Sequence, residues 1–515
     1  MPIGDSVYGE HGRLGGTAGA DSVLRHAPVL LLGGLFLFTV GLKAARTPLW
    51  FDEILTYHVA SLSGPGTIIK ALLTKAENHP PLDYILRHYA MAAFGGSELA
   101  FRLPSVLAAL IASACLYLIV LRRTSVLPAL VAFSFPFVTY MLKHFYEGRP
   151  YATLLASMCL AFLAWQLAAE KQSGPRLVFL ALCLSLGPHL HYYGVLNYVP
   201  IAVGEAWRCW ERRKISWPIV ACFAVSFAVL APLVPFAIHS RDFSAHFWTP
   251  LGPSMIAHML VKIFSPTLPA AIVALIGCAV AVLFIGGGPG RRADEHAIPR
   301  HEVAAALMLA IVPLTTYVLA VLVTRAYTDK YLINSVAGVA LVLAYLTGRL
   351  QAWRPGCALI IAASIGLMSV VTLGYLARYV PARTYNIAAE ERRLIEATEH
   401  PVLIPDANHF MQIHFYLPQI LRDKIYTIAD RKLAIEYIGH DTNELVFDRL
   451  RPYIPMNAVT LCAFTTQHSQ FLMVLVSPSW IVRRLLADGA ESRVHEKSMK
   501  EAEVLSVAIN GRIGC

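Results

Sequence analysis

Apolar runs recur along the first three quarters of the chain, separated by short polar stretches, and then stop. They fall near 27–45, 101–121, 124–142, 150–169, 177–190, 194–207, 215–237, 268–286, 302–323, 331–348 and 355–376. Most are about 17 to 25 residues long, enough to cross a bilayer core as a helix. The pattern therefore predicts a polytopic α-helical membrane protein with about eleven spans. Gly187-Pro188 and Gly194 interrupt the stretch 177–207, so its two halves are short. The segment 82–94 reads as a further, partly embedded helix, and Pro253–Phe264 as an interfacial helix with Trp248 and Phe264 at headgroup level.

Beyond residue 377 the period changes. Val402-Leu403-Ile404, Ile425-Tyr426-Thr427, Val459-Thr460-Leu461 and Leu472-Met473-Val474-Leu475-Val476 read as short buried strands. Helical patterns near 387–398, 408–421, 441–450 and 479–488 alternate with them, predicting a small α/β domain over 377–515. Residues 1–26 are Gly-rich and polar and read as a disordered N-terminus, with the first span retained. Asp406, Asn408 and His409 follow the first strand and read either as a ligand site or as a turn and helix cap.

Composition agrees. Of 515 residues 56% are hydrophobic and 15% charged, with a mean hydropathy of +0.55, which excludes an ordinary soluble domain. The net charge of +10 does not point to nucleic acid, because the basic residues form no aromatic-interleaved patch. They lie in alternate loops: Arg122-Arg123, Lys171 and Arg176, Arg208 to Lys214, Arg291 to Arg300, and Arg349 and Arg354. By the positive-inside rule those loops and the N-terminus are cytoplasmic. The outer side then receives loops 46–100, 143–149, 238–267 and 324–330 together with the tail. The nine cysteines are scattered, mostly within apolar runs, and no CxxC pair occurs, so they read as core residues without a disulfide framework.

The outer loops carry the chemistry. The first begins Trp50-Phe51-Asp52-Glu53 and closes on Asn78-His79-Pro80-Pro81-Leu82. Adjacent carboxylates on a turn or helix point apart, so one of Asp52 and Glu53 can face a reacting group while the other braces the loop or holds a cation. The double proline fixes an extended turn that presents His79. The second loop, Lys143-His144-Phe145-Tyr146-Glu147-Gly148-Arg149, reads either as a staple pairing Glu147 with Lys143 or Arg149, or as an anion site with an acidic neighbour. His189 and His191 could share a metal in extended chain or anchor the interface beside Tyr192. Arg325, Lys330 and Tyr331 add outer cations beside a span, and Arg102 could snorkel outward or reach the same cavity. Cations able to hold a phosphate, with carboxylates able to take a proton, suit chemistry on a phosphate-bearing lipid.

The order WFDE, HPPLDYIL, FRLPSVLAAL, YEGRPYATLLA, HYYG and DKYLINSVAGVAL resembles the bacterial GT-C membrane glycosyltransferases, the group of the protein O-mannosyltransferases and the lipid A aminoarabinose transferase, over residues 45–350. The resemblance implies transfer of a sugar, with inversion, from a polyprenyl-phosphate donor to an extracytoplasmic acceptor: glycolipid, polysaccharide or protein. It implies Asp52 as base with Glu53 as its acidic neighbour, and Glu147 as the second-loop acid with Arg149 beside it. The donor phosphate would fall to Lys143, Arg149, Arg325, Lys330 and Tyr331, and acceptor orientation to His79, His191 and Tyr192. His79 stands where the family often carries lysine. No cofactor is required, and a divalent cation is optional, with Glu147 and His79 as candidate ligands. The location implied is a bacterial inner membrane. A transporter or lipid flippase for an anionic substrate, and a non-catalytic scaffold acting through the tail, are the competing readings.

Overall fold

In the computed structural model, residues 17–240, 251–269, 271–272, 274, 276–277, 298–379, 389–495 and 502–509 are described. Among the described residues six helices are long and apolar enough to cross a membrane: His26–Arg46, Glu98–Leu121, Tyr151–Glu170, Trp217–His239, Asn334–Trp353 and Pro355–Arg378. The pair Arg300–Ala310 and Val312–Thr324, bent by 52°, makes a seventh if taken as one span. Val126–Val138 and Gly174–Leu190 are apolar but shorter. Predicted runs in the described residues all form helix, although two of them, Val126–Val138 and Gly174–Leu190, are short for a full crossing. The run 194–207 becomes a short turn of 3₁₀-helix and the amphipathic Tyr198–Arg212, whose Glu205 and Arg208 form a buried ion pair at 2.6 Å. The run 268–286 lies largely outside the described residues. The first helix starts at Thr17, ten residues ahead of the predicted span, while residues 1–16 lie outside the described part.

Tyr151–Glu170 is the axis of the bundle, with 83% of its apolar window buried against 22% for Trp217–His239 at the periphery. Small residues let neighbours close in. A Cβ on Gly338 would lie 2.1 Å from the backbone of Ala310, so the Asn334–Trp353 and Arg300–Ala310 helices touch backbone to backbone there. Gly194 is equally constrained, 2.1 Å from the Gly187 backbone, which folds the His191 turn back onto the helix before it.

Three helices cover one end of the bundle: Phe51–Ala60, Pro65–Leu73 and Pro81–Phe94. The predicted partly embedded helix is the last of these, and the predicted interfacial helix forms as Ser254–Phe264. Trp248 lies outside the described residues.

The tail forms a six-stranded sheet: β1 Val402–Leu403, β2 Ile425–Ile428, β3 Asn457–Val459, β4 Gln470–Leu475, β5 Glu491–Val494 and β6 Glu503–Ala508. The order is β3-β2-β1-β4-β6-β5, parallel from β3 to β4 and antiparallel thereafter. Helices on both faces bury Phe471 to Val474 of β4, as parallel packing demands. Asp406 is a helix cap, its carboxylate accepting from His409 N at 2.8 Å. Cys462 departs from the core-residue reading, being disulfide-bonded.

One face of this sheet does not end at the domain. Ile425, Leu472, Phe410 and Phe447 continue without a break into Leu49, Phe51, Leu55 and Tyr84 of the first loop. Leu49 N donates to Tyr416 Oη at 2.9 Å, Gln412 Nε2 donates to Leu49 O at 3.0 Å, and the Phe51 and Phe447 rings meet edge-on at 6.1 Å. The tail and the Asp52 loop share a core.

Candidate active site

Phe51–Ala60 places Asp52 and Glu53 on different sides, as neighbours on a helix must be. Glu53 is fully buried. Its Oε1 accepts from Arg102 Nε at 2.7 Å and Gly148 N at 2.5 Å, and its Oε2 from Arg102 Nη2 at 2.5 Å and Trp50 N at 3.3 Å. Arg102 also donates to the carbonyls of Ala44, Thr47 and Pro48. Glu53 and Arg102 therefore tie the first span, the first loop and the second loop together, and neither has capacity left for a substrate. Of the two adjacent acids, Asp52 is the one that keeps an accessible face.

The Asp52 side chain is 20% exposed, with Oδ2 taking a hydrogen bond from Lys330 Nζ at 2.9 Å. Burial raises its pKa, but the charges of Lys330 and Arg149 outweigh that and hold the carboxyl below its ordinary range. Burial likewise opposes the charge on Lys330, and Asp52 overrides it, so the ammonium is held well above its usual value. The Lys330 ammonium also lies 5.6 Å from the Trp50 and Tyr151 ring centres.

Arg149, 3% exposed, crosses the floor. Its Nη1 donates to Asp52 O at 2.9 Å, to Thr56 Oγ1 and to Glu77 Oε1 at 3.5 Å, while Nη2 donates to His79 Nδ1 at 3.2 Å. Burial lowers the His79 pKa and Arg149 lowers it further, against the smaller pull of Glu77. His79 is thus a neutral ring, accepting at Nδ1 and carrying its proton on Nε2. The same turn supplies Glu77, an acid the sequence reading passed over although it sits two residues before His79; Arg149 holds its carboxyl low in spite of burial.

His191, Tyr193, Tyr331 and Tyr151 close one side. Tyr331 stacks on Tyr193 at 4.5 Å, and His191 lies 5.0 Å from His79 and 5.3 Å from Tyr331. Tyr192 faces Glu77, and burial, then that charge, pushes its phenol up. His189 turns away to Ser185 O at 2.8 Å, so the two histidines do not share a ligand.

On the other side, Glu147 pairs with His144 Nδ1 at 2.6 Å, not with Lys143 or Arg149 as a staple would need. Lys143 instead reaches Asp329 Oδ2 at 3.5 Å, where Lys262 of the Ser254–Phe264 helix also binds at 2.8 Å. Burial is outweighed there too, and the Asp329 carboxyl is lowered to about 2. Lys262 and Asp329 were not among the predicted site residues; their pairing brings the Ser254–Phe264 helix against the loop before Lys330.

Arg325 is not part of the cluster. It sits exposed in left-handed backbone (φ 52°) where the preceding helix loosens into a π-turn, and no partner for it is found among the described residues. No three His, Cys, Asp or Glu side chains among the described residues form a group that could hold a metal ion; Glu147 and His79 are each engaged as described. Buried polar atoms around the cluster without a hydrogen-bond partner among the described residues include Trp50 Nε1, Asn78 Oδ1, His144 Nε2, Arg149 Nε and His191 Nε2. A polar ligand brought against these residues would meet donors and acceptors that the protein itself does not use.

Residues 78–239 match the model of a family described as dolichyl-phosphate-mannose-protein mannosyltransferase. Over nearly its whole length the backbone is similar to the crystal structure of ArnT from Cupriavidus metallidurans in the apo state: TM-score 0.56, 12% identity, 95% of this chain and 98% of that one. It is similar also to the crystal structure of that protein bound to undecaprenyl phosphate: TM-score 0.57, 12% identity, 95% of this chain and 99% of that one. No curated protein sequence matches. At 12% identity the likeness is one of fold.

Proposed function

We propose that this chain, a multi-pass membrane glycosyltransferase of GT-C architecture, moves a sugar from a polyprenyl-phosphate donor to an acceptor hydroxyl outside the cytoplasm, with Asp52 as general base. The observation that carries the reading is the Asp52–Lys330 pair, 2.9 Å apart, partly open, and set beside Arg149. The site thus holds both a candidate base and cations able to countercharge a phosphate leaving group.

Asp52 takes the proton of the acceptor hydroxyl as its oxygen attacks the anomeric carbon from the face opposite the phosphate. The anomeric carbon–oxygen bond to phosphate breaks, and the electron pair leaves on polyprenyl phosphate. The transition state has oxocarbenium character. Lys330 and Arg149 neutralise the departing charge, with Lys143 and Lys262 approaching from the second loop and the Ser254–Phe264 helix. Tyr331, stacked on Tyr193, gives the sugar a flat wall. Neutral His79 offers Nε2–H to a hydroxyl, with His191 and Tyr192 beside it, and Glu147, charge-paired with His144, orients the acceptor. Glu53 is a positioning residue. A divalent cation is optional in this reaction, because Lys330 and Arg149 can turn from their carboxylates to the phosphate.

The basic loops support a cytoplasmic N-terminus and an outer-facing site in a bacterial inner membrane. The disulfide at Cys462 agrees, since disulfides persist in oxidising compartments. The likeness to ArnT, crystallised with undecaprenyl phosphate, supports a polyprenyl monophosphate as the donor's lipid. The test incubates membranes holding wild type or Asp52→Asn with labelled polyprenyl-phosphate sugars, following release of polyprenyl phosphate and label in acceptors. Asp52-dependent transfer is expected. Uptake into proteoliposomes without transfer by either protein would overturn the reading in favour of a transporter.

A further inference from the structure

The outer domain holds a cleft that the chemistry at Asp52 does not use. It opens beyond the carboxyl ends of β2 and β3, the edge where α/β sheets bind ligands. Its volume is about 340 Å³, within the ~300–1,000 Å³ range of small-molecule sites. Ala429 and Ala463 leave its floor open, and Asp430, Arg431, Asp448 and Arg451 surround it. Two carboxylates balance two guanidiniums. A phosphate there would meet Asp430 and Asp448, and an ammonium would meet Arg431 and Arg451; a neutral ligand rich in hydroxyls meets donors and acceptors alike.

Three of the four charged groups have partners outside the cleft, and Asp448 lies 3.6 Å from Arg451. Asp430 caps the Arg431–Ile438 helix by accepting from Leu433 N at 3.2 Å. Arg431 Nε is held on Asp441 at 2.7 Å, and Arg451 Nη2 donates to Ala458 O at 2.5 Å on the β3 ladder. Behind Asp448, one helical turn earlier, Glu444 is only 7% exposed and its Oε2 has no hydrogen-bond partner, a further buried polar atom beside the cleft. Asp448 shares the Thr442–Leu450 helix with Phe447, whose ring meets Phe51 next to Asp52. The cleft and the active-site loop are thus joined through one helix.

We propose that this cleft is a saccharide-binding site of the outer domain, taking a neutral sugar of the acceptor. That it binds saccharide stands on the cleft alone; that the sugar belongs to the acceptor rests on the transferase reading. Binding energy gathered there would place the acceptor without touching the reacting atoms, as remote contacts do in many enzymes.

The full chain in phosphatidylcholine nanodiscs is examined by saturation-transfer NMR with maltose, lactose and methyl mannoside, and by phosphorus NMR with inorganic phosphate. Wild type and Asp52→Asn should give the same saccharide signal. Ala463→Leu, which fills the floor from an exposed position, and Arg451→Gln should weaken it about 10-fold or more. Asp430→Asn keeps the cap and removes one charge, so weakened binding in a protein of unchanged melting separates recognition from folding. Saccharide binding that ignores all three changes, no saccharide signal in wild type, or phosphate binding in its place would overturn the proposal. In transfer assays Ala463→Leu should raise the acceptor KM and leave kcat and the donor KM alone. Loss of transfer in wild type would count against the reaction, not against the cleft.

Discussion

Replacing Glu53 by Gln and Asp52 by Asn changes neighbouring acids into amides of the same shape, and the structure expects opposite outcomes. Glu53 accepts four hydrogen bonds, two of them from the guanidinium of Arg102, itself 1% exposed. A glutamine keeps one acceptor oxygen but turns an NH₂ toward donors, and it leaves Arg102 charged and buried without a counterion. Removing one partner from a buried pair typically costs about 3–5 kcal/mol, against total stabilities of about 5–15 kcal/mol. Glu53→Gln should therefore melt well below wild type in detergent and show early proteolysis in the Trp50–Leu82 loop. Asp52, by contrast, faces Lys330 across a partly open gap, so Asp52→Asn should melt closer to wild type than Glu53→Gln does, while transfer falls by roughly 10²–10⁴-fold, the usual range for a lost general base. Melting followed by intrinsic fluorescence, with transfer measured on the same preparations, separates the two. A Glu53→Gln protein as stable and active as wild type would refute the division of labour.

Three further outcomes follow from the same geometry. Lys330→Met removes the main charge holding the Asp52 carboxyl low, so the acidic limb of the pH–rate profile should move to higher pH; an unmoved limb would show that another group carries it. Burial, then the nearby carboxylates, raises Glu444 to about 7 from 4.5. The folded outer domain thus holds that proton more tightly than the unfolded chain, and stability should be lost as pH rises from about 4.5 through 7, on the order of 3 kcal/mol at most. Denaturation at pH 5 and pH 8 tests this, and Glu444→Gln should flatten the difference. Deleting 389–515 should cost assembly of the first outer loop as well as the tail, because Phe51 and Leu55 share a core with Phe410 and Phe447; protease resistance of that loop in the truncated protein would contradict it.

The membrane helices were legible because bilayer thickness fixes the length of an apolar run, and the run is a property of consecutive residues. Tyr198–Arg212 shows the limit: Glu205 and Arg208 make it amphipathic, and a window that counts apolar residues cannot separate it from a span. In the tail, β1, β2 and β4 announced themselves by buried β-branched and aliphatic residues, whereas the strand expected at Val459 to Leu461 forms at Asn457–Val459, because Thr460 caps the Leu461–Gln467 helix. β5 did not, since Glu491 to Val494 are all exposed and carry no alternation, and β6 followed it out of sight. The site divides the same way. Residue types and loops were readable, and Asp52, Arg149, Lys330, His79 and His191 do converge. Pairings were not, because they join residues 49 apart for Glu53 with Arg102 and 278 apart for Asp52 with Lys330. Lys262 was missed for that reason, and Arg325 was included only because it neighbours Lys330 in sequence.

Under the proposed reaction, those pairings also bear on how a donor phosphate would bind. Every cation near Asp52 already has an acid: Lys330 has Asp52, Arg149 has Glu77, and Lys143 and Lys262 share Asp329. A phosphate entering this set gains little by adding charge to a balanced cluster; it gains by taking cations from carboxylates. Of the three acids, Asp52 is the most exposed at its side chain, 20% against 7% for Glu77 and 11% for Asp329, so the Lys330 contact is the one most open to exchange. Moving Lys330 from Asp52 to phosphate removes a charge that keeps the carboxyl a weak base, and Asp52 becomes more basic when a donor is present to be attacked. The ion pair in the resting site would in this way couple phosphate binding to activation of the base.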